Sequence, residues 1–268
     1  MQSRIETAQQ AHSLKDIKLA KKAHLNTSIK KDIHAENHTK STGLYLGEFV
    51  YGAIDGTVTT FAVVSGAEGA LLSPAVVIIL GFANLIADGF SMACGNFLSE
   101  KSQRDYIEKE REREQWEIEN LPEDEKTEIR EIFRKKGFKG KDLNKAVAVI
   151  TSDKKVWIDT MMADELGLIE SNKSPFKTAG MTYFGFVIIG IIPLLAYVFS
   201  YISTFFAQHK FVIAIIMTLI ALFIIGAVKR DVTKKNIWKS SFETIFIGGA
   251  AAIIAYFVGV VLRWVVSL

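Results

Sequence analysis

Cysteine and histidine are scarce in this chain of 268 residues, and their scarcity excludes several kinds of site. Cys94 is the only cysteine, so the chain has no internal disulfide and no thiolate cluster for a structural zinc ion. Four of the five histidines precede residue 40, and none lies between His38 and His209. The long middle of the chain therefore lacks the Glu-x-x-His pairs that bind two irons in ferritin-like bundles.

Positive charge is scarce in five long stretches of the chain, where Lys210 and Arg263 are the only lysine and arginine. Thirty of the 32 lysines and arginines lie in three segments, namely 1–43, 99–179 and 229–241. Apolar runs close to or above the roughly 20 residues that a helix needs to cross a bilayer lie at approximately 44–66, 74–98, 180–202, 210–228 and 242–266. Because cationic loops stay on the cytoplasmic side, we predict five transmembrane helices, with the N-terminus inside and the C-terminus outside.

Composition indicates a membrane protein rather than a soluble or nucleic-acid-binding one. A run such as 211-FVIAIIMTLIALFIIGAV-228 lacks the polar face that a helix of a soluble protein exposes to water. The net charge of +3 arises from bases interleaved with acids, so we expect no nucleic-acid partner. About 40 polar residues precede the first apolar run, which predicts a retained helix rather than a secretory signal and fits a bacterial plasma membrane.

Four segments follow from this pattern. We predict a polar cytoplasmic N-terminal segment at 1–43, transmembrane helices 1 and 2 at 44–98, a cytoplasmic helical domain at 99–176 and transmembrane helices 3 to 5 at 177–268. The fold class is thus an all-α membrane protein with a helical domain inserted between spans 2 and 3. The first segment contains four histidines, for which a metal-catching tail and an ordinary solvated segment both stay open: His12, His24, His34 and His38.

The second span is predicted to continue into water as one long helix, because no glycine or proline follows Phe97 up to about residue 120. Pro122 suits the first turn of a second helix that ends before Gly137. Two further helices are predicted at about 141–151 and 154–166, the last one capped at its start by Ser152 or Asp153 and closed by Gly167.

Polar side chains interrupt the first two apolar runs. Asp55 lies in the first run. In the second, one sector of the helix carries Asn84, Asp88, Ser91 and Met92. A carboxylate near the bilayer centre costs at least ~2.5 kcal/mol, so such acids usually line an ion path. A structural hydrogen-bond network, with Met92 only filling space, is the alternative.

A carboxylate hairpin is the main feature of the predicted cytoplasmic domain. Four glutamates stand symmetrically about Leu121, so antiparallel helices would bring them together: Glu114, Glu117, Glu125 and Glu128. Such a cluster is unfavourable unless cations occupy it, although a solvated charged surface is the alternative. In 157-WIDTMMADELGL-168, Met161, Met162 and Glu165 add soft sulfur and hard oxygen, a combination that favours Fe²⁺ and Mn²⁺ over Mg²⁺ and Ca²⁺. Ordinary methionine packing also stays open.

The motifs DGTVTTFAVVSGA, DGFSMACGNFLSEKS and WIDTMMADELGL, with the glutamate-rich hairpin, resemble the vacuolar iron transporter family over about residues 43–266. The resemblance implies a homodimer that exports Fe²⁺ or Mn²⁺ from the cytosol in exchange for protons, in the vacuolar membrane if the chain is eukaryotic. It implies that Asp55 and Met92 line the path. It also implies that the cytoplasmic site, which would accept Zn²⁺ or Co²⁺ too, consists of Glu114, Glu117, Glu125, Glu128 and Glu165, with Met161 and Met162 beside them.

One position departs from the pattern of the plant members. They have a glutamate eight residues before the methionine of the second span, whereas this chain has Asn84, and Asp88 lies one turn nearer to Met92. Either Asp88 supplies the missing charge, or the proton coupling or the choice of metal differs from that of the plant members, and both alternatives stay open. The metal ions and protons are cargo, no cofactor is expected, and the chain is not expected to be an enzyme. The rival class, a membrane-anchored di-iron oxidase or ferritin-like protein, lacks its histidine ligands here.

Overall fold

The computed structural model describes residues 10–11, 14–19, 41–233 and 237–266. From Ser41 onward the described residues form nine helices and no strand, which confirms the all-α class. We number them α1 (Ser41–Gly69), α2 (Pro74–Asn120), α3 (Pro122–Lys135), α4 (Gly140–Thr151), α5 (Lys154–Asp164), α6 (Pro175–Gly190), α7 (Ile192–Phe199), α8 (Thr204–Thr233) and α9 (Ile237–Val266). The four N-terminal histidines lie outside the described residues.

Five helical segments of the described chain are long and apolar enough to cross a membrane. They are Leu44–Gly69, Pro74–Asn120, Pro175–Phe199, Thr204–Val228 and Ser241–Val265, so the five predicted spans are confirmed at this level. The third span is less regular than predicted, because it consists of α6 and α7 with a break at Ile191. Pro193 explains the break, since proline has no N–H to continue the hydrogen-bond ladder.

α2 runs without interruption for 47 residues, as predicted. At 1.5 Å per residue it is about 70 Å long, whereas the hydrocarbon core of a bilayer is about 30 Å thick. The helix therefore carries residues of the second span at one end and residues of the predicted glutamate-rich hairpin at the other. It ends at Leu121, where the backbone leaves the helical region, and Pro122 begins α3.

Helix α1 packs closely on α6 because glycines remove side chains from the contact. A Cβ added at Gly56 would lie 2.8 Å from the Cα of Phe186, and one added at Gly185 would lie 3.0 Å from the carbonyl carbon of Phe49. Small residues at such crossings let two backbones approach in a membrane. Helices α1 and α9 also approach closely at glycines, since a Cβ added at Gly259 would lie 2.8 Å from the carbonyl carbon of Gly66.

The helical loop unit (residues 99–176) has a hydrophobic cluster of its own. The second half of α2 and helices α3, α4 and α5 contribute its buried side chains, which are Ile107, Ile118, Ile129, Leu143, Val147, Trp157, Ile158, Met161 and Met162. The predicted helix ends are confirmed, since Gly137 and Gly167 have positive φ and the Asp153 side chain accepts hydrogen bonds from the N–H groups of Lys155 and Val156. The unit thus fixes the relative positions of α2, α3 and α5.

Candidate metal-binding sites

Five glutamates of the loop unit converge, and we call them the carboxylate group. Glu114 and Glu117 lie near the C-terminal end of α2, while the other members follow the turn at Leu121 or end α5: Glu125, Glu128 and Glu165. The structure brings them together, since the charges of the other four members all act on Glu125. The break at Leu121 and the packing of α5 against α2 produce this convergence.

Two members of the carboxylate group are buried. Glu114 is 1 % exposed and Glu125 is 5 % exposed, and the Oε2 atom of each has no hydrogen-bond partner. Desolvation, followed by the charge of Glu165, raises the pKa of Glu114 to about 7. Desolvation and then Glu128 raise the pKa of Glu125 to about 7 as well. A buried carboxylate oxygen without a hydrogen-bond partner is costly, so these two Oε2 atoms favour a proton or a bound cation.

Glu165 joins the group from the end of α5. Its backbone N–H donates to the carbonyl of Met161 at 3.0 Å, which closes the helix and directs the chain out of it. The pKa of Glu165 is raised, first by desolvation and then by the charge of Glu128, with which its side chain also forms a hydrogen bond. Carboxyl groups carried by α2 and α3 therefore act on the one that follows α5.

The structure also places a cation in this group that sequence reasoning missed. Arg113 forms ion pairs with Glu110 at 2.9 Å, Glu114 at 2.9 Å and Glu117 at 2.8 Å. The signal was present in the sequence, because glutamates three residues before and four residues after an arginine face it on a helix.

The side chains of the carboxylate group do not enclose a metal ion in this structure. Within the described residues no three histidine, cysteine, aspartate or glutamate side chains stand close enough to hold one metal ion. Carboxylate oxygen is nevertheless the donor type that suits Mn²⁺ and Fe²⁺, and the buried Oε2 atoms of Glu114 and Glu125 have no hydrogen-bond partner. The donor chemistry of these residues therefore fits a cation.

Met161 and Met162 are packed inside the loop unit. They are 0 % and 2 % exposed and belong to its hydrophobic cluster. This placement gives both thioethers a packing role, while their chain neighbour Glu165 stands in the carboxylate group. Direct sulfur ligation stays a prediction.

A second polar site lies within the spans. Asp55 of α1 and Asp88 of α2 are both partly buried, and the charge of Asp88 acts on Asp55. Each aspartate is followed by a glycine that contacts Phe186 of α6, since a Cβ at Gly56 would lie 2.8 Å from its Cα and one at Gly89 would lie 3.0 Å from its ring. Phe186 thereby brings the two Asp-Gly pairs toward one another.

The remaining predicted residues of α2 lie along the edge of its buried face. That face consists of Val77, Gly81, Leu85 and Gly89, and Met92 packs against the hydrophobic cluster of the spans. Asn84 and Asp88 are partly buried, whereas Ser91 is exposed. The polar sector therefore extends from the interior of the chain to its surface.

Three further polar contacts were not predicted from the sequence. Asn96 of α2 donates to Thr182 of α6 at 2.7 Å, and Tyr197 donates to Glu68 at 2.8 Å. Lys173, just before α6, pairs with Glu48 of α1 at 2.6 Å. These residues are far apart in the chain, so no periodic pattern connects them.

Comparison with known proteins shows the family of this chain. The model of the VIT family matches residues 46–260. The chain belongs to the VIT family. A vacuolar iron transporter of Toxoplasma gondii is 35 % identical over 98 % of this chain and 90 % of its own length. The vacuolar iron transporter of Plasmodium falciparum is 34 % identical over 96 % and 95 %, and vacuolar iron transporter 1 of Arabidopsis thaliana is 34 % identical over 84 % and 88 %. The region that matches the VIT family model includes both the carboxylate group and the Asp55–Asp88 pair.

Proposed function

We propose that this VIT-family chain exports Fe²⁺ or Mn²⁺ from the cytosol across a membrane, in exchange for protons. The observation that carries the proposal is the pair of partly buried acids, Asp55 and Asp88, on two spans that converge on Phe186. The names of the relatives support metal transport rather than catalysis, since they are called iron transporters. The chain is a transporter, and the metal is its cargo.

The carboxylate group collects the metal before transport. Glu114 and Glu125 supply buried oxygens without other partners, and the more exposed Glu128 and Glu165 make the group accessible to ions from water. Oxygen donors of this kind accept Zn²⁺ and Co²⁺ as well as Fe²⁺ and Mn²⁺. Met161 and Met162 add thioethers beside Glu165.

Proton exchange follows from the chemistry of an acid inside a bilayer. An unpaired carboxylate is costly there, so Asp55 needs either a proton or a metal cation as its partner. A metal that arrives at Asp55 replaces the proton, and a proton that arrives from the other side displaces the metal. Asp88 supplies the second carboxyl in place of the glutamate that Asn84 replaces, and Met92 contributes a soft thioether on the same helix.

A second copy of the chain completes the path. Only 22 % of the apolar stretch of the second span is buried within one copy of the chain, although this span carries Asn84 and Asp88. Lipid offers no partner for a carboxyl or amide group, whereas a second α2 would cover the polar sector. We therefore infer a homodimer with the two second spans facing each other.

Metal flux into proteoliposomes tests this function. Purified protein is reconstituted with a metal-sensitive dye inside, and Mn²⁺ or Fe²⁺ is added outside with and without an acidic lumen. We expect uptake that is accelerated by the acidic lumen, together with alkalinisation of the lumen as protons leave. Uptake that is independent of the pH gradient would contradict antiport, and absence of uptake with either metal would contradict the proposal as a whole.

A further inference from the structure

We propose that Arg113 is a built-in counter-cation of the carboxylate group, which an incoming metal ion must displace, and that it thereby sets the affinity of the collecting site. This inference rests on the proposed function, because it assumes that the carboxylate group binds the metal cargo. It assigns a role to a residue that is not itself a metal ligand.

The geometry of the guanidinium carries the proposal. Arg113 donates from Nε to Glu110 at 2.9 Å and from Nη1 to Glu117 at 2.8 Å, and its Nη2 lies 2.9 Å from Oε1 of Glu114. Three of its nitrogens are thus each paired with a different carboxylate. Two of the three partners belong to the carboxylate group.

Arg113 holds only part of that group. Oε2 of Glu114, a residue 1 % exposed, has no partner, and the same is true of Oε2 of Glu125. One positive charge therefore stands against five carboxyl groups and leaves two buried oxygens unpaired. A divalent ion that satisfied these oxygens would attract Glu114 and Glu117 away from the arginine.

The other ion pairs of the loop unit do not share this arrangement. Among the ion pairs of the described residues, those of Arg113 alone involve a member of the carboxylate group. Arg134 of α3, for example, pairs with Glu131 at the surface. Arg134 is therefore a matched control, with the same charge in the same unit but outside the site.

Competition between Arg113 and the metal has a thermodynamic consequence. In the metal-free protein the arginine reduces the repulsion among the glutamates, so its removal lowers stability. In the metal-loaded protein the ion has already taken over that role, so removal of the arginine has little effect on stability. Linkage then requires that the variant bind metal more tightly than the wild type.

The test uses the full-length protein in detergent and Mn²⁺ as the probe. Binding is measured by calorimetry, and unfolding is measured with and without saturating Mn²⁺, for wild type, R113Q and R134Q. We expect R113Q to bind Mn²⁺ about tenfold more tightly, which corresponds to about 1.4 kcal/mol. Its unfolding temperature should fall without Mn²⁺ and match the wild type with Mn²⁺, while R134Q should resemble the wild type throughout.

The outcomes separate this inference from the proposed function. Equal or weaker Mn²⁺ binding by R113Q, or an equal loss of stability with and without Mn²⁺, would overturn the role of Arg113 and leave the collecting site in place. Failure of the wild type to bind Mn²⁺ would overturn both. R113K retains the charge with fewer hydrogen bonds, so its affinity should lie between those of wild type and R113Q. If R113Q does not fold, an R113K affinity equal to that of the wild type would overturn the inference.

Discussion

At the scale of single residues, the acids of this chain differ in what surrounds them. Asp55 lies in a span, beside a glycine that brings the backbone of α6 close and within range of the charge of Asp88. Glu114 lies in the loop unit, where burial is accompanied by the charges of other acids and of Arg113. In the proposed function, the first environment serves exchange of a proton for a metal ion, and the second serves capture of the metal ion.

Asp55→Asn tests the exchange step. The substitution preserves size and removes the charge to which we assign metal binding, so we expect uptake into proteoliposomes to fall to the level of empty vesicles. Expression and elution volume should not change, because asparagine costs less than aspartate in a bilayer. Asp105→Asn, at an exposed position of α2, is the control and should transport normally. Wild-type flux in Asp55→Asn would contradict the mechanism.

The raised pKa values of Glu114 and Glu125, both about 7, predict how metal binding depends on pH. Below pH 7 these acids hold protons that Mn²⁺ must displace. The apparent affinity should therefore rise from pH 5.5 to 7.5, by up to about tenfold per pH unit for each proton released. Glu114→Gln together with Glu125→Gln should bind more weakly and with a flatter pH profile. A steep profile in that variant would assign the protons to other groups.

The same shifts fix the sign of the pH dependence of stability. The folded metal-free protein keeps these protons up to about pH 7, whereas the unfolded chain releases them near the ordinary glutamate value of 4.5. The metal-free protein should therefore lose stability as the pH rises through this window. Saturating Mn²⁺ should remove the loss. Thermal unfolding at a series of pH values, with and without the ion, measures both effects.

At the scale of helices, close approach of α1 and α6 is what positions Asp55. Gly56 follows it directly, and its missing side chain leaves room for the backbone of Phe186. Gly56→Ala should force the helices apart and lower stability by about 1–3 kcal/mol, as overpacking does in cores. Gly180→Ala, on α6 with open space around the added methyl, should cause no loss. Thermal unfolding in detergent compares the two, and equal stability would show that the contact relaxes without cost.

Helix α2 connects the two candidate sites. Met92 and Glu114 lie on this single helix, separated by 22 residues and thus by about 33 Å. Because this part of the helix is continuous, it fixes the distance between the carboxylate group and the spans. The position of the group is therefore set by helix length rather than by a flexible tether.

At the scale of the whole molecule, the proposed topology places the loop unit and the N-terminus in the cytosol. In a chain with Cys94 replaced by serine, Asp105→Cys should be protected from a membrane-impermeant thiol reagent applied outside to intact cells. Leu71→Cys, in the exposed turn between α1 and α2, should react. The reverse pattern would invert the orientation, and with it the direction of transport.

The sequence alone determined the number of spans, the continuity of α2 and the ends of the loop helices. These features depend on local properties, namely apolar length, the absence of glycine and proline after Phe97, and turn residues such as Gly137 and Gly167. The convergence of the glutamates on either side of Leu121 was also predictable. Pro122 and the acidic residues after it predict the start of a new helix, and the glutamates are symmetric about the turn before it. Short-range rules suffice where neighbours in the chain are neighbours in space.

Only the tertiary structure decided which distant groups meet. The pairs Asn96–Thr182, Tyr197–Glu68 and Lys173–Glu48 join residues separated by 86, 129 and 125 positions, and no periodicity connects them. The burial of Met161 and Met162 in a hydrophobic cluster likewise depends on how α5 packs against α2. A sequence states which helices have apolar or polar faces, but packing among several helices of similar composition depends on the fit of their surfaces. The glycine contact of α1 with α6 provides that fit here, and it places Asp55 where Asp88 acts on it.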